Sequence, residues 1–326
     1  MSHRTHLICR SLTTALLLAA AGTGCADDPA AGGPDIDPDD TTAPAVTSTQ
    51  PAASASGVPE NEKIHVTFSE PMDQASVEAA YTSTDLPAEQ VTFAWNPAGT
   101  VLTITPASPL EYAEGTGTDP ETVTPKTYTI TIGAGASDLA GNTLAAPMEL
   151  SFATRRRLLA LFGLDTDLTC VTLANDSYTG TEIMVGDHMN GATYRSYLTF
   201  DLSTLPADAA IEKAQFQGRQ HLTEGAPYSM GPINVQHLTY PSTAVGTLNA
   251  TLTMSVPGNL SVDATQEIKT IEVTSQVIDD VANRAARSDR SQYRLQINKA
   301  TNEDPVTDRA TFGKNTFVLG AIYVVD

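Results

Sequence analysis

The densest group of chemistry-bearing residues lies between Gly186 and Arg195, where Asp187, His188, Asn190, Tyr194 and Arg195 follow one another closely. They supply carboxylate, imidazole, amide, phenol and guanidinium. Proteins hold sugars with an aromatic face against the apolar side of the ring, framed by polar hydrogen-bonding groups. These five residues are therefore the candidate ligand-binding set. The competing reading is structural, since Arg195 precedes an apolar strand and would pair with Asp187 or Asp201. Tyr178, Tyr228 and Tyr240 are further candidate platforms, although an isolated tyrosine on a β-protein usually serves packing.

Catalysis has less to stand on. The chain contains no His-Glu-x-x-His zinc pair, no Gly-x-Ser-x-Gly elbow, no phosphate-cradling glycine loop and no Cys-x-x-Cys. His188, His221 and His237 could converge on a metal, but their spacings of 33 and 16 residues match no local ligand motif. Acidic residues outnumber basic ones 38 to 18, so close carboxylates arise by chance and no glycosidase pair is legible. The expectation is a protein that is not an enzyme, with no catalytic residue, metal or cofactor. Cys170 sits in the alternating run Leu168–Leu173 and reads as a buried, inert thiol.

The N-terminus carries a different chemistry. His3, Arg4, His6 and Arg10 precede an apolar run around Leu16–Leu18, which is shorter than the roughly 20 residues that span a bilayer. The following Gly22-Thr23-Gly24-Cys25 resembles the bacterial lipobox, with Gly22 where leucine is usual. That resemblance implies cleavage before Cys25 and lipidation of its thiol; the alternative is a soluble secreted protein cut near Ala26. Residues 26–51 are rich in Ala, Asp, Pro, Thr and Gly, too poor in large apolar groups to offset their ordering entropy, and read as a tether. Asp35–Asp40 lacks the glycine and distal glutamate of a calcium loop. Asp27 follows Ala26, so the acidic residue that retains some lipoproteins in the inner membrane is not at the position after Cys25. On that resemblance the outer membrane or cell surface is expected, otherwise a secreted or periplasmic location. The partner is then a membrane, through the lipid, together with polysaccharide or another envelope protein. A formal charge of −20 argues against nucleic acid.

The elements that must position these groups are strands. Ile64, Val66 and Phe68 alternate with polar residues, as do Val91, Phe93 and Trp95, then Tyr128, Ile130 and Ile132, then Leu150 and Phe152. Leu198–Leu202, Ile233–Val235, Ile271–Val273, Tyr293–Ile297 and Ala321–Val325 continue the style. Period-two alternation marks sheets with one buried and one wet face. One helix is expected after Val273, capped by Ser275, with Ile278, Val281, Ala282 and Ala285 as its buried stripe. The fold class is all-β: two β-sandwich domains, the second jelly-roll-like with one short helix. The expected divisions are a signal peptide at 1–24, a tether at 25–42, a first domain at 43–154, a connection at 155–168 and a second domain at 169–326. Arg155-Arg156-Arg157 and the apolar residues after it could form a basic membrane element, but a bridging strand is the simpler reading.

Several motifs of the first domain resemble the bacterial Ig-like domain of S-layer and other surface proteins. They stand as Gly57-Val58-Pro59, Ile64–Asp73, Leu102–Pro106, Tyr128–Ile132, Asp138–Asn142 and Phe152–Thr154, with Tyr112–Lys126 as a loop insertion. The resemblance implies a spacer or adhesive module. The second domain resembles family 96 carbohydrate-binding modules through Val185–Asp187, Tyr194–Pro206, Ala210–Ala214, Val273–Val277 and the final strand, without the tryptophan usual near the helix. This implies a jelly-roll sandwich and, for some members, polysaccharide binding; the whole arrangement resembles surface lipoproteins of myxobacterial type. Lytic action on polysaccharide is a minor third reading.

Overall fold

The computed structural model describes residues 39–173, 180–241 and 252–326, together with the backbone of 176–178. The signal peptide, Cys25 and most of the expected tether lie outside the described residues, as does the side chain of Tyr178. Among the described residues, no helix is long and apolar enough to cross a membrane.

The first sandwich is built from β1 (Val46–Gln50), β2 (Ile64–Phe68), the short helix α1 (Gln74–Ala79), β3 (Tyr81–Thr82), β4 (Val91–Trp95) and β5 (Val101–Pro106). It continues with β7 (Thr127–Ile132) and β8 (Met148–Ala153), while β6 (Ala113–Thr116), inserted between β5 and β7, leaves it for the second sandwich. One sheet has the order β1-β2-β5-β4 and faces the sheet β3-β7-β8. The alternating apolar residues meet between them: Ile64, Val66 and Phe68 pack with Leu102, Ile104, Ile130, Ile132, Leu150 and Phe152. Burying one such side chain fully is worth about 1.5–3 kcal/mol. Trp95 stacks on Phe68 and donates its indole N–H to Glu78 Oε1 at 3.0 Å.

The second sandwich begins earlier than expected. Of the 155–168 connection, β9 (Arg156–Gly163) is a full member of the sheet, antiparallel to the last strand along its length. Its alternation puts Leu158, Ala160 and Phe162 into the core. There follow β10 (Cys170–Leu173), β11 (Asp176–Tyr178), β12 (Glu182–Asp187), β13 (Thr193–Asp201), β14 (Ala210–Glu224), β15 (Ile233–Leu238) and β16 (Leu252–Ser255). The chain ends with β17 (Ile268–Glu272), helices α2 (Thr274–Ala282) and α3 (Arg284–Arg287), β18 (Arg290–Ile297), β19 (Asp308–Gly313) and β20 (Val318–Val325). The long strand β14 belongs to both layers. Its first half pairs with β20 and β17, its second half with β19. Phe200, Phe216, Tyr293, Phe312 and Leu319 fill the space between the layers.

Three local expectations fail for physical reasons. The 112–126 insertion is no free loop, because β6 runs parallel to β9 and extends the second sandwich's sheet. A Cβ on Gly115 would lie 2.2 Å from Val123 Cγ2, so glycine permits the insertion to fold back on itself. Ser275 does not cap the helix, whose N-cap is Val273 without a side-chain bond. Nor is Ile278–Ala285 the buried stripe, since Ile278, Ala282 and Ala285 are exposed while Val273, Gln276, Val277 and Asp280 face inward. The alanines carry little area to bury, and Asp280 finds partners inside.

Candidate functional site

Where β12 turns into β13, a tight hairpin forms: His188 N–H donates to Ala192 O at 2.8 Å and Gly191 N–H to His188 O at 2.7 Å. Short polar side chains finish it, with Asn190 Oδ1 accepting from Ala192 N and His188 Nδ1 from Asn190 N. Gly191 takes φ +77° at the tip, where Met189 is exposed. The five sequence candidates therefore share a hairpin but not a groove. Tyr194 is buried, its ring beneath the Arg309 guanidinium at 5.5 Å and edge-on to His188. Asp187 is fully buried on the core side of β12, in line with Val185. Arg195 pairs with neither Asp187 nor Asp201 among the described residues. This hairpin offers a sugar no open aromatic face.

The three histidines do not converge. His221 on β14 reaches Glu182 on β12, across β19 in the same sheet, at 3.3 Å. His237, fully buried, meets Asp280 at 2.9 Å, and Asp280 in turn receives Arg287, which also holds Asp279. His237, Asp279 and Asp280 bring ligand atoms within 4.8 Å of one another, but the guanidinium already supplies the positive charge there. Desolvation raises the Tyr293 phenol well above its usual range, with nearby Asp280 adding to it. Sequence reading missed this network because its members come from β15, α2 and α3, and the signal was the inward spacing of Gln276, Val277 and Asp280. Cys170 is buried among Tyr197, Leu238 and Tyr240, and burial pushes its thiol up to about 11. Tyr228 donates to Gln220 Oε1 and shares a second hydrogen bond with Ser261 Oγ, and Tyr240 bonds Thr199 Oγ1; both serve packing.

In the first sandwich, Asp138 spans its turn by accepting Asn142 N–H and Nδ2, both at 2.8 Å, and Gly141 takes the positive φ of +94°. Asp40, Glu70 and Asp138 approach within 4.8 Å of one another. Desolvation, then the charges of Asp40 and Asp138, raises the Glu70 carboxyl.

The outer face of the β14–β20–β9 layer holds a hollow of about 290 Å³. Lys213, Gln215 and Gln217 form one side; Leu159, Leu161 and Ile322 form the other. Next to it, the Arg155–Arg157 run is spent on the junction between the sandwiches. Arg155 pairs with Asp326, Arg156 with Glu121, and Arg157 with Glu212 and Glu60 while stacking on Tyr112 at 5.0 Å. Tyr323 donates its hydroxyl to Gly117 O at 3.1 Å. Glycine is required at 57, where φ is +67° and a Cβ would meet the Asp326 carboxylate at 2.6 Å.

Residues 40–154 match the bacterial Ig-like domain. The matched part is about a third of the chain. No curated protein matches. Among solved structures, an L,D-transpeptidase from Mycobacterium smegmatis is 16% identical, covering 66% of this chain and 74% of that one, with a TM-score of 0.25. Domains 1–6 of the surface layer protein SbsC are 13% identical, over 73% of this chain and 34% of that one, with a TM-score of 0.24. SGBP-B of the Bacteroides ovatus mixed-linkage glucan utilization locus, in complex with a mixed-linkage heptasaccharide, is 11% identical over 85% and 53%, with a TM-score of 0.19. Likeness at this level carries no argument about function.

Proposed function

We propose that the chain is a non-catalytic, lipid-anchored protein of the cell envelope whose Ig-like domain is a spacer presenting the C-terminal sandwich. The observation that carries this reading is where the tether enters. Asp40 O accepts from Asn142 Nδ2 at 3.0 Å, at the pole where β7 ends at Ile132 and β8 begins at Met148. The second sandwich joins at the opposite pole, where Val58 pairs with Thr154 and Arg155 meets Asp326. A strand of six residues at about 3.3 Å each puts roughly 20 Å between the two ends. A chain held at Cys25 thus enters the Ig-like domain on the side away from the second sandwich. The junction is bridged by the β6–β9 pairing and by the ion pairs of the three arginines.

The test is fractionation of cells expressing the full chain. Cys25→Ala is expected to move the protein from the membrane to the soluble fraction, and unchanged membrane association would sink the anchor. Polysaccharide breakdown by the purified protein would overturn the non-catalytic part.

A second reading, polysaccharide binding by the C-terminal sandwich, is favoured by the hollow rather than by the 186–195 hairpin. Its stripe of Lys213, Gln215 and Gln217 offers hydrogen-bonding groups beside an aliphatic wall, without the aromatic face on which sugars commonly stack. Pull-down on acidic and neutral polysaccharides, weakened by Gln215→Ala with Gln217→Ala, would support it. Silence on both would favour the structural role.

A further inference from the structure

We propose a divalent-cation site of the calcium class at the end of the second sandwich, built from Asp187, Asp308 and the Asn302–Asp304 loop. Asp187 closes β12 and Asp308 opens β19, and the two stand directly opposite in the antiparallel ladder. Both point to the core side, continuing the columns of Val185 and Ala310, and only 0% and 2% of their surfaces are exposed. Like charges directly opposite on paired strands repel. Burial makes this worse, because an ionised carboxylate out of water requires a compensating charge.

No compensating charge is there. Among the described residues, no Lys or Arg nitrogen lies within 4 Å of either carboxylate. Asp308 has neutral donors: Ala226 N–H to Oδ1 at 2.5 Å and Asn302 Nδ2 to Oδ2 at 2.6 Å. Asp187 Oδ2 accepts Asn302 N–H at 3.1 Å, while its Oδ1 is buried with no donor at all. The same Asn302 amide also serves Asp304 Oδ2 at 2.8 Å. One neutral amide thus stands between two carboxylates, beside a third whose buried oxygen is unpartnered.

The donor set selects the ion. The carboxylates of Asp187, Asp304 and Asp308 offer oxygen only, while Asn302 turns its Nδ2 toward Asp304 and Asp308 and spends its Oδ1 on Asp304 N–H, so a bound ion would take the place of that amide N–H. Hard cations such as calcium take roughly 6–8 oxygen ligands with flexible geometry. Asp304 is exposed and gives the site an opening to solvent. The surrounding backbone is fitted closely: a Cβ on Gly225 would lie 1.9 Å from Asp308 Oδ1, and one on Gly186 2.0 Å from Asp308 O. The His237–Asp280 cluster differs, since Arg287 neutralises it from within.

The experiment uses the full purified chain, stripped with chelator and titrated with calcium chloride or magnesium chloride by calorimetry and thermal unfolding. One calcium per chain and a calcium-dependent rise in melting temperature are expected, with a weaker magnesium response. Asp187→Asn removes one of the repelling charges. It is expected to be at least as stable as the parent in chelator while losing the calcium response. Asp304→Asn, at an exposed position, should leave the fold intact and weaken calcium binding about tenfold. Three results would overturn the proposal: no heat and no shift with calcium, a calcium shift that survives Asp187→Asn, or stability that responds only to acid, as two carboxyls sharing a proton would give.

Discussion

Asp280 is the buried hub of the helix network, and its neutralisation should be costly in a predictable way. Asp280→Asn preserves volume and leaves His237 a hydrogen-bonding partner, but deprives Arg287 of its buried counter-charge. The Arg287 side chain is 11% exposed and keeps only Asp279, which is 28% exposed. Removing one member of a buried ion pair costs about 3–5 kcal/mol. The surviving Asp279 contact puts the expected loss at the lower end, about 3 kcal/mol. For a domain of this size each kcal/mol moves the midpoint by roughly 2–4 °C, so a fall of about 6–12 °C is expected. Asp279→Asn, at the more solvated partner, should cost about 1 kcal/mol or less. Urea unfolding separates the two, and the sequence supplies a convenient control. Trp95 is the only tryptophan and lies in the first sandwich, so its fluorescence reports that sandwich while circular dichroism reports both. A loss below about 1 kcal/mol for Asp280→Asn, or equal losses at 279 and 280, would refute the claim that burial sets the value of this network.

Other consequences follow from single contacts. Cys170, its thiol raised to about 11 by burial, should stay unmodified by thiol reagents at pH 8 in the folded protein and react fully once unfolded in urea. Gly115→Val cannot be accommodated against Val123. It should expose the 112–126 insertion to limited proteolysis and broaden the small-angle scattering envelope, while β9 and β20 stay paired. Glu70 has a folded-state pKa raised above 4.5, so the fold disfavours its ionised form. That penalty is present above the folded pKa and vanishes as pH falls to the unfolded value. Glu70→Gln should therefore stabilise the Ig-like domain slightly at pH 7 in chelator, and the gain should be gone below about pH 4.5.

The strands were legible because the sequence states them twice, in period-two alternation and in turn chemistry. Ile64, Val66 and Phe68 point inward as their spacing requires, and Asp138 with Gly141 makes the turn their types suggest. The helix misled for the same reason that made it readable. An apolar stripe through Ile278, Val281 and Ala282 competes with a register that buries Asp280, and sequence cannot show that His237 and Arg287 arrive from elsewhere to satisfy it. The junction was hidden likewise: three arginines in a row look alike until Glu60, Glu121, Glu212 and Asp326 are brought to them. The 186–195 loop was found as a place and misjudged as a surface, because exposure of Tyr194 and Asp187 depends on Arg309 and on the 301–308 segment far along the chain.

The polar interior of the second sandwich sharpens that last point. Two sets of buried acidic groups lie within it, and they are handled in opposite ways. Around Asp280, the helices contribute their own cation, Arg287, and His237 Nε2 meets the same carboxylate. Around Asp187 and Asp308, the chain contributes only amides and backbone N–H groups, and one carboxylate oxygen receives nothing. A fold that supplies arginines so freely at its junction brings no Lys or Arg nitrogen within 4 Å of either carboxylate among the described residues, and Arg309 beside Asp308 pairs with Glu224 instead. Sequence alone made Asp187 a candidate for holding a ligand at the surface. The geometry keeps the residue and changes its object, from the face of a sugar to an ion at the end of the core, where the neutral variant Asp187→Asn distinguishes a site that needs the charge from one that merely tolerates it.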